Sequence, residues 1–475
     1  MKLDLRGFFQ ATNPAKTLFA GNFADDQKYY IDFSSVRGGQ VIEDLRDNIA
    51  LWSPDSPTCQ LFTGHIGCGK STELLRLKQE LEREGFQVVY FESSQDLEMA
   101  DVDISDIMLA IARRVSENLE TIKSVESSGF RELLTGMAKL LQTPLDLAAE
   151  ASIPGIGKVA ASTDGKFSLE AGLPGVGQVT ANNKEGFSLV ALGIGKITAK
   201  AKDNSQLRDR LRQYLAPRTS QLLAAINQEL LEPAIETLKE QGQAGLVVIV
   251  DNLDRVDNHQ KPWGRPQQDY LFVDQGEYLT QLKCHVVYTM PLALKFSNDY
   301  GTLTQRFSQE PKTLPMVPTQ LRDGRECEEG MRLMRQMVLA RVFPDLDSEQ
   351  RLGLISEVFD HPETLDRLCR VSGGHVRNLL RLLNDWIKKQ RQLPLTREVL
   401  EDVIRERRNE MTLPISDDEW DLLRQVKKRQ KVNGDIGYQT LIRSLFVYEY
   451  RDRDGSWFDI NPILAEAREF QSCLT

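Results

Sequence analysis

One stretch of eight residues limits what this chain can be more than its length does. Gly64-His65-Ile66-Gly67-Cys68-Gly69-Lys70-Ser71 fits G-x-x-x-x-G-K-[ST] with no mismatch. The run Cys59-Gln60-Leu61-Phe62 before it reads as a short buried strand. Thr72 to Glu84 after it reads as a helix with Leu74, Leu77 and Leu81 on one stripe. Gly64, Gly67 and Gly69 let the backbone turn so that successive N–H groups, from His65 and Ile66 through Cys68 to Thr72, face phosphate oxygens. The helix N-terminus adds partial positive charge. Lys70 is expected to reach the β/γ-phosphates and the Ser71 hydroxyl to ligate Mg²⁺. The alternative is a glycine-rich turn that binds nothing; strand, loop, lysine, serine and helix all in order speak against it.

The 475 residues leave room for about two to four domains, and 41% hydrophobic with 27% charged residues allows a real core. A net charge of −10 argues against a chain devoted to wrapping nucleic acid, though not against a local basic patch. The six cysteines, Cys59, Cys68, Cys284, Cys327, Cys369 and Cys473, are scattered without a CxxC pair, so neither a zinc site nor a disulfide framework is signalled. Cys68 is either an oxidation-sensitive thiol or a tolerated small residue. Met1 to Asn13 lacks the pattern of a secretion signal and no apolar run has the length of a membrane span. A soluble, cytoplasmic protein is expected.

Tyr29-Tyr30-Ile31-Asp32-Phe33 with Val36-Arg37-Gly38-Gly39 reads as a lead-in strand and turn, followed by a helix from Gln40 to Leu51. Phe33 and Arg37 are candidates to pack on a base; ordinary surface structure is the alternative. A strand at Phe86 to Phe91 and helices near Ile104–Leu119 and Phe130–Leu141 follow. Leu246-Val247-Val248-Ile249-Val250 ends in Asp251, the pattern of a carboxylate leaving a buried strand to hold the water shell of Mg²⁺. A fourth strand, His285 to Thr289, ends in a polar residue that either orients water or caps the strand, and a fifth runs roughly Thr313 to Val317. One strand lies in sequence between the phosphate-loop strand and the Asp251 strand, the spacing of P-loop ATPases in which a further strand separates those two in the sheet.

Helices dominate about 326–410, where Gly373 and Gly374 open a helix whose first turn carries Arg377, facing either a γ-phosphate or solvent. Ser416 to Glu419 is a capping box for a helix Asp417–Arg429; a second helix covers about Tyr438–Leu445; Asp454-Gly455 between two β-rich runs signals a hairpin. Arg424, Lys427, Lys428, Arg429 and Lys431 form a basic cluster that fits DNA phosphates, a solvated face or a docking surface.

Over about 30–125, 205–320 and 360–465 these features resemble the AAA-like P-loop ATPases of the origin-recognition and STAND groups. The resemblance implies an α/β fold: a five-stranded parallel P-loop NTPase sheet, a helical lid and a C-terminal winged helix. The boundaries it implies are a lead-in over 1–58, the ATPase domain over 59–325 with an insertion at 126–204, the lid over 326–410 and the winged helix over 411–475. It makes Lys70 and Ser71 the phosphate and Mg²⁺ residues, Asp251 the Walker B carboxylate, Arg377 the lid arginine and Arg306 a candidate arginine finger for a neighbouring subunit, with ATP and Mg²⁺ as ligands. One departure matters. The family usually has an acidic residue directly after that aspartate as general base; here Asn252 stands there, which orients water but accepts no proton, with Asp254 nearby. Slow hydrolysis is expected.

Within the insertion, Pro154-Gly155-Ile156-Gly157-Lys158-Val159 recurs 20 residues later at Pro174 and, two residues closer, at Gly193-Ile194-Gly195-Lys196-Ile197. Valine and alanine alternate with polar residues, which reads as short glycine-rich β-hairpins. Three roles compete: an oligomer-building or core-packed ribbon, a flexible insertion, or a membrane-active hairpin, whose strands of six to eight residues fall short of the roughly 9–11 a spanning strand needs. The reading as a whole is a nucleotide-controlled, homo-oligomerising switch ATPase with a partner protein; the alternative is a DNA-binding AAA-type ATPase using its winged helix, and a P-loop kinase is third.

Overall fold

The runs Leu246–Val250 and Val286–Tyr288 are apolar on both sides, so they are stable only inside a sheet covered on both faces. The computed structural model describes residues 4–19, 23–119 and 204–471, and between 120 and 203 the pieces 129, 132–134, 136–137, 159–161, 167–169, 194–195, 197–199 and 201–202. Its strands are β1 (Cys59–Gly64), β2 (Phe86–Glu92), β3 (Val159–Ala161), β4 (Phe167–Leu169), β5 (Gly245–Asp251), β6 (His285–Met290), β7 (Lys312–Leu314), β8 (Val447–Asp452) and β9 (Gly455–Ile460). The main sheet runs β2-β5-β6-β1-β7, parallel throughout. As expected, β6 lies between the phosphate-loop strand and the Asp251 strand. Every residue of β5 is buried, and its side chains alternate: Val248 and Val250 join the core under the helix Ile104–Asn118, while Val247 and Ile249 join the one under Val41–Ala50 and Lys70–Arg83.

Three expectations are corrected. Tyr29–Phe33 is no strand; it runs unpaired into a tight turn at Ser34–Val36. The last sheet strand is short, Lys312–Leu314, because the chain then leaves the sheet and the Met316 N–H donates to Glu449 O of β8. In the insertion, β3 and β4 do pair antiparallel, but Ile194, Gly195 and 197–199 of the third repeat are helical. Ile194, Ile197 and Ala201 are buried in the main core, and spacings of three and four bring them onto one helical stripe. The second repeat lies outside the described residues, as does Asp164-Gly165, which reads in sequence as a hairpin turn. No helix among the described residues is long and apolar enough to cross a membrane.

The helical region expected to form a lid, called the lid for its place in the fold, holds Glu328–Val342, Pro362–Ser372 and Val376–Gln390; Arg397–Thr412 leads to Asp417–Arg429, whose Ser416–Glu419 capping box is present, then to Ile436–Arg443 and the hairpin β8–β9. The lid and this C-terminal unit share one apolar core, which also takes Phe8 and Phe33 from the N-terminal segment. The hairpin wedges between lid and sheet. Gly374, at φ +70°, is required there: a Cβ would stand 1.7 Å from Val317 O.

Candidate functional site

β1 delivers the phosphate loop and β5 delivers Asp251 to the same end of the sheet. Gly69, at φ +112°, ends the loop in a conformation that costs glycine nothing, and the helix begins at Lys70. The first helical bond is Glu73 N–H to Gly69 O, so the N–H groups of Lys70, Ser71 and Thr72 have no partner within the helix. In front of them opens a solvent-connected cleft. Ile66, Gly67, Gly69, Lys70, Ser71 and Thr72 line it from the loop, Asp251, Asn252, Asp254 and Arg255 from the turn after β5, Val376, Arg377 and Leu380 from the lid, and Pro14, Lys16 and Thr17 from the N-terminal segment.

Lys70 is buried. Its ammonium donates to Gly64 O (2.7 Å) and His65 O (2.9 Å) and pairs with Asp254 Oδ2 at 2.9 Å. Burial alone drives a lysine toward neutrality, but Asp254, with smaller help from Cys68 and Asp251, outweighs it and holds the ammonium charged, above the usual lysine range. Asp254 Oδ1 is buried without a partner. Asp251 receives the Tyr90 hydroxyl (2.8 Å) and the Asn252 N–H (2.7 Å), and Ser71 hydrogen-bonds it as well. Burial and the neighbouring Asp254 nonetheless raise its carboxyl above the ordinary aspartate value. The turn that aims these carboxylates is pinned: Asn252 adopts the left-handed conformation, φ +66°, and the Leu253 N–H donates to Thr289 Oγ1 at 2.9 Å.

The back of the loop is wired to the lid and the hairpin. His375 Nδ1 accepts the Asn378 N–H (3.0 Å), which leaves its Nε2–H to donate to Ile66 O (2.9 Å). His65 Nε2 accepts the Glu449 N–H (2.8 Å). Burial depresses both rings, His375 to about 3 and His65 well below its usual value; nearby cations, among them Lys70, add to this. Tyr448 packs against both rings, and its hydroxyl oxygen accepts from Asn378 and Asn461, each at 2.8 Å. Gly67 is pressed between the units: a Cβ would meet His375 Cε1 at 2.7 Å and Arg377 Cβ at 2.8 Å.

The predicted residues therefore divide. Lys70, Ser71, Thr72, Gly67, Gly69, Ile66, Asp251, Asn252, Asp254 and Arg377 converge on the cleft. Gly64 turns the chain beneath it, His65 points its ring backwards, and Cys68 is fully buried with its thiol near Leu314 O (3.7 Å). Thr289 is committed to the backbone, accepting from Leu253 N–H and facing Val250 O at 3.4 Å. Arg306 does not line the cleft; it lies 3.9 Å from Glu277. Phe33 and Arg37 do not line it either. Without a lead-in strand, Arg37 lies over the Phe33 ring and donates to Cys68 O at 2.7 Å, propping the loop from behind. The apolar wall is instead Pro14, Ile66, Val376 and Leu380. Sequence reasoning missed Pro14, Lys16 and Thr17, for which no motif exists. It also missed Tyr90 and Arg255, which alternation along β2 and adjacency to Asp254 could have suggested.

No protein-family model and no curated protein matches the chain. Solved structures similar to it include a Walker-type ATPase of Pyrococcus abyssi (10% identity, covering 96% of this chain and 98% of that one, TM-score 0.41). The ORC2 protein of Aeropyrum pernix, solved as ADPNP–ADP complexes, is another (12%, 97% and 95%, TM-score 0.38). Drosophila ORC bound to DNA is a third (11%, 99% and 91%, TM-score 0.35). At these scores the likenesses add nothing to what the chain itself carries. Its own sheet order and phosphate loop give it the P-loop NTPase fold, with an AAA-like five-stranded parallel sheet.

Proposed function

We propose that this is a cytoplasmic ATP-binding protein of the AAA/STAND kind, a slow ATPase whose nucleotide controls homo-oligomerisation. The observation that carries it is the Lys70 ammonium, buried, kept charged and held at a cleft also lined by Ser71, Asp251 and Arg377. An unpaired Asp254 Oδ1 beside it suits a site whose resting contacts are exchangeable. Ser71 and Asp251, already hydrogen-bonded to each other, would hold Mg²⁺. When bound, that ion neutralises charge on the β/γ-phosphate oxygens. Lys70 would leave Asp254 for the triphosphate, Arg377 would bring the lid to it, and Pro14, Ile66, Val376 and Leu380 would receive the base.

Slow turnover follows from the turn after β5. Asn252 accepts no proton, and Asp254, the only other carboxylate of that turn in the cleft, serves as counter-ion to Lys70 until nucleotide arrives. A turnover well below the enzyme median of about 10 s⁻¹ is expected. A switch needs only that ATP bind one conformation better than another. The test is equilibrium binding of ATP and ADP with mass measured by light scattering. Lys70→Ala should weaken nucleotide about 100-fold or more; unchanged affinity in that variant overturns the reading.

DNA binding through the C-terminal unit is the second reading. It is supported by Lys428, Arg429 and Lys431, which are exposed and carry no ion pair among the described residues, whereas Arg424 and Lys427 are paired with Asp421 and Asp459. Filter binding across a salt titration separates the readings, since phosphate-driven affinity falls steeply with salt.

A further inference from the structure

The cleft has two kinds of cation. Lys70 is neutralised by Asp254 and Lys16 by Asp26 (2.6 Å). Arg255 and Arg377 both line the cleft, and among the described residues neither has a carboxylate within ion-pair distance or a side-chain hydrogen bond. They also sense one another: burial lowers the Arg377 guanidinium, and Arg255 lowers it further. Two guanidinium groups facing one cleft, where the nearby Asp254 carboxylate acts on Arg377 but is itself paired with Lys70, is an arrangement that a bound anion would relieve.

The fold nevertheless enforces it from both sides. Arg377 is fixed by its own N–H donating to Gly67 O (3.1 Å), at the tip of the phosphate loop. Arg255 is fixed by the turn that also aims Asp254: its N–H donates to Asn252 O (3.0 Å), Asn252 is left-handed, and Leu253 is tied to Thr289. The turn therefore points a carboxylate at Lys70 and, one residue on, a guanidinium into the cleft. The Arg255 side chain is exposed and, among the described residues, makes no hydrogen bond or ion pair, so packing gives no reason for an arginine there. A guanidinium presents a planar fork of donors that matches a phosphate with two parallel bonds, which a lysine ammonium does not.

We propose that Arg255 joins Arg377, the lid arginine of the reading above, as a second guanidinium on the terminal phosphate of a nucleoside triphosphate, so that one chain distinguishes tri- from diphosphate without a neighbouring subunit. This rests on the nucleotide-binding reading above. The loop and Lys70 serve the phosphates up to the β/γ junction; this two-arginine clamp adds planar donor forks at the outermost one. Arg255 is thus a specificity-determining residue beside the Asp251 strand, and the bound phosphate joins the lid to the sheet.

The experiment is equilibrium binding of Mg²⁺ADP and of a Mg²⁺-bound non-hydrolysable ATP analogue to the full chain, its Arg255→Ala and Arg255→Lys variants and Lys70→Ala. Arg255→Ala should lose about tenfold or more in affinity for the triphosphate and less than about twofold for ADP. Arg255→Lys should recover part of that loss, since charge returns without the fork. Equal loss for both nucleotides, or no loss for either, overturns the clamp while leaving nucleotide binding intact. Failure of the unmodified protein to bind either nucleotide overturns both the clamp and the reading beneath it, and Lys70→Ala losing both nucleotides alike marks what a general binding defect looks like.

Discussion

The two sides of the phosphate loop obey opposite rules. Its front faces an open cleft and carries charge: Lys70 against Asp254, Arg255 near Arg377, Asp251 with a raised carboxyl. Its back is buried, with two uncharged histidines, a tyrosine that accepts two amide bonds, a hairpin backbone and the Arg37 guanidinium on Cys68 O. Contacts on the front are of the kind a triphosphate can replace. Those on the back have no competitor and join loop, lid and hairpin. One loop thus serves as a binding surface on one side and a structural joint on the other.

The largest effect should come from protonating the joint. His375 and His65 stay neutral in the fold but take up protons near pH 6.5 when unfolded. Their contribution is therefore fully present above about pH 6.5 and is lost as pH falls toward the folded value, about 3 for His375. Each histidine costs about 1.4 kcal/mol per pH unit in that window, so the pair removes roughly 5 kcal/mol between pH 6.5 and 4.5. Denaturant midpoints measured across this range should show a slope that shrinks in His65→Gln and shrinks further with His375→Gln added; equal slopes in all three proteins would mean that the rings are not held neutral by the fold.

Next in size is Tyr448→Phe. It keeps the ring between the histidines but strands the Asn378 and Asn461 amides in a dry core. A buried donor left unsatisfied costs about 1–3 kcal/mol, so a loss of about 2 kcal/mol or more is expected in chemical denaturation. ATP affinity measured alongside should change by less than about threefold. A much larger change would show that back and front act as one unit.

How much of this division could be read from residues alone follows from what each side is made of. The front is local in sequence: the G-x-x-x-x-G-K-S run and an aspartate ending an apolar strand carry their geometry with them, and strand counting was enough to place β6 between β1 and β5. The back is assembled from partners hundreds of positions apart, such as His65 with Glu449, and periodicity carries no trace of such pairings. The same limit explains Phe33 and Arg37, whose role was read from a strand that does not form because nothing pairs with it. It explains the third glycine-rich repeat too, where a stripe of Ile194, Ile197 and Ala201 meeting the core outweighed the β-like alternation.

On the front, Asp254→Asn tests exchangeability. The variant removes the counter-ion that Lys70 must leave and a negative charge close to the phosphates. ATP should bind about tenfold more tightly, the size of a partly screened charge pair. Turnover should fall in the same variant if the freed carboxylate takes the proton of the attacking water. Tighter binding with unchanged turnover would assign Asp254 the counter-ion role alone, and weaker binding would contradict the view that the resting pair competes with nucleotide.

The smallest effect separates this cleft from anything a neighbour supplies. Arg306 sits half-buried on the helix Tyr300–Phe307, outside the cleft; among the described residues its one ion-pair partner is the exposed Glu277, at 3.9 Å. A pair of that length with one partner in solvent contributes about 0–1 kcal/mol, so Arg306→Ala should leave both fold and single-chain ATP affinity within about twofold of the parent. Any larger effect has to arise between subunits. Turnover per chain measured against protein concentration reads it: a rise with concentration that Arg306→Ala abolishes would place this arginine at a neighbour's nucleotide, while parallel curves would leave the two arginines of the cleft as the protein's own means of sensing the terminal phosphate.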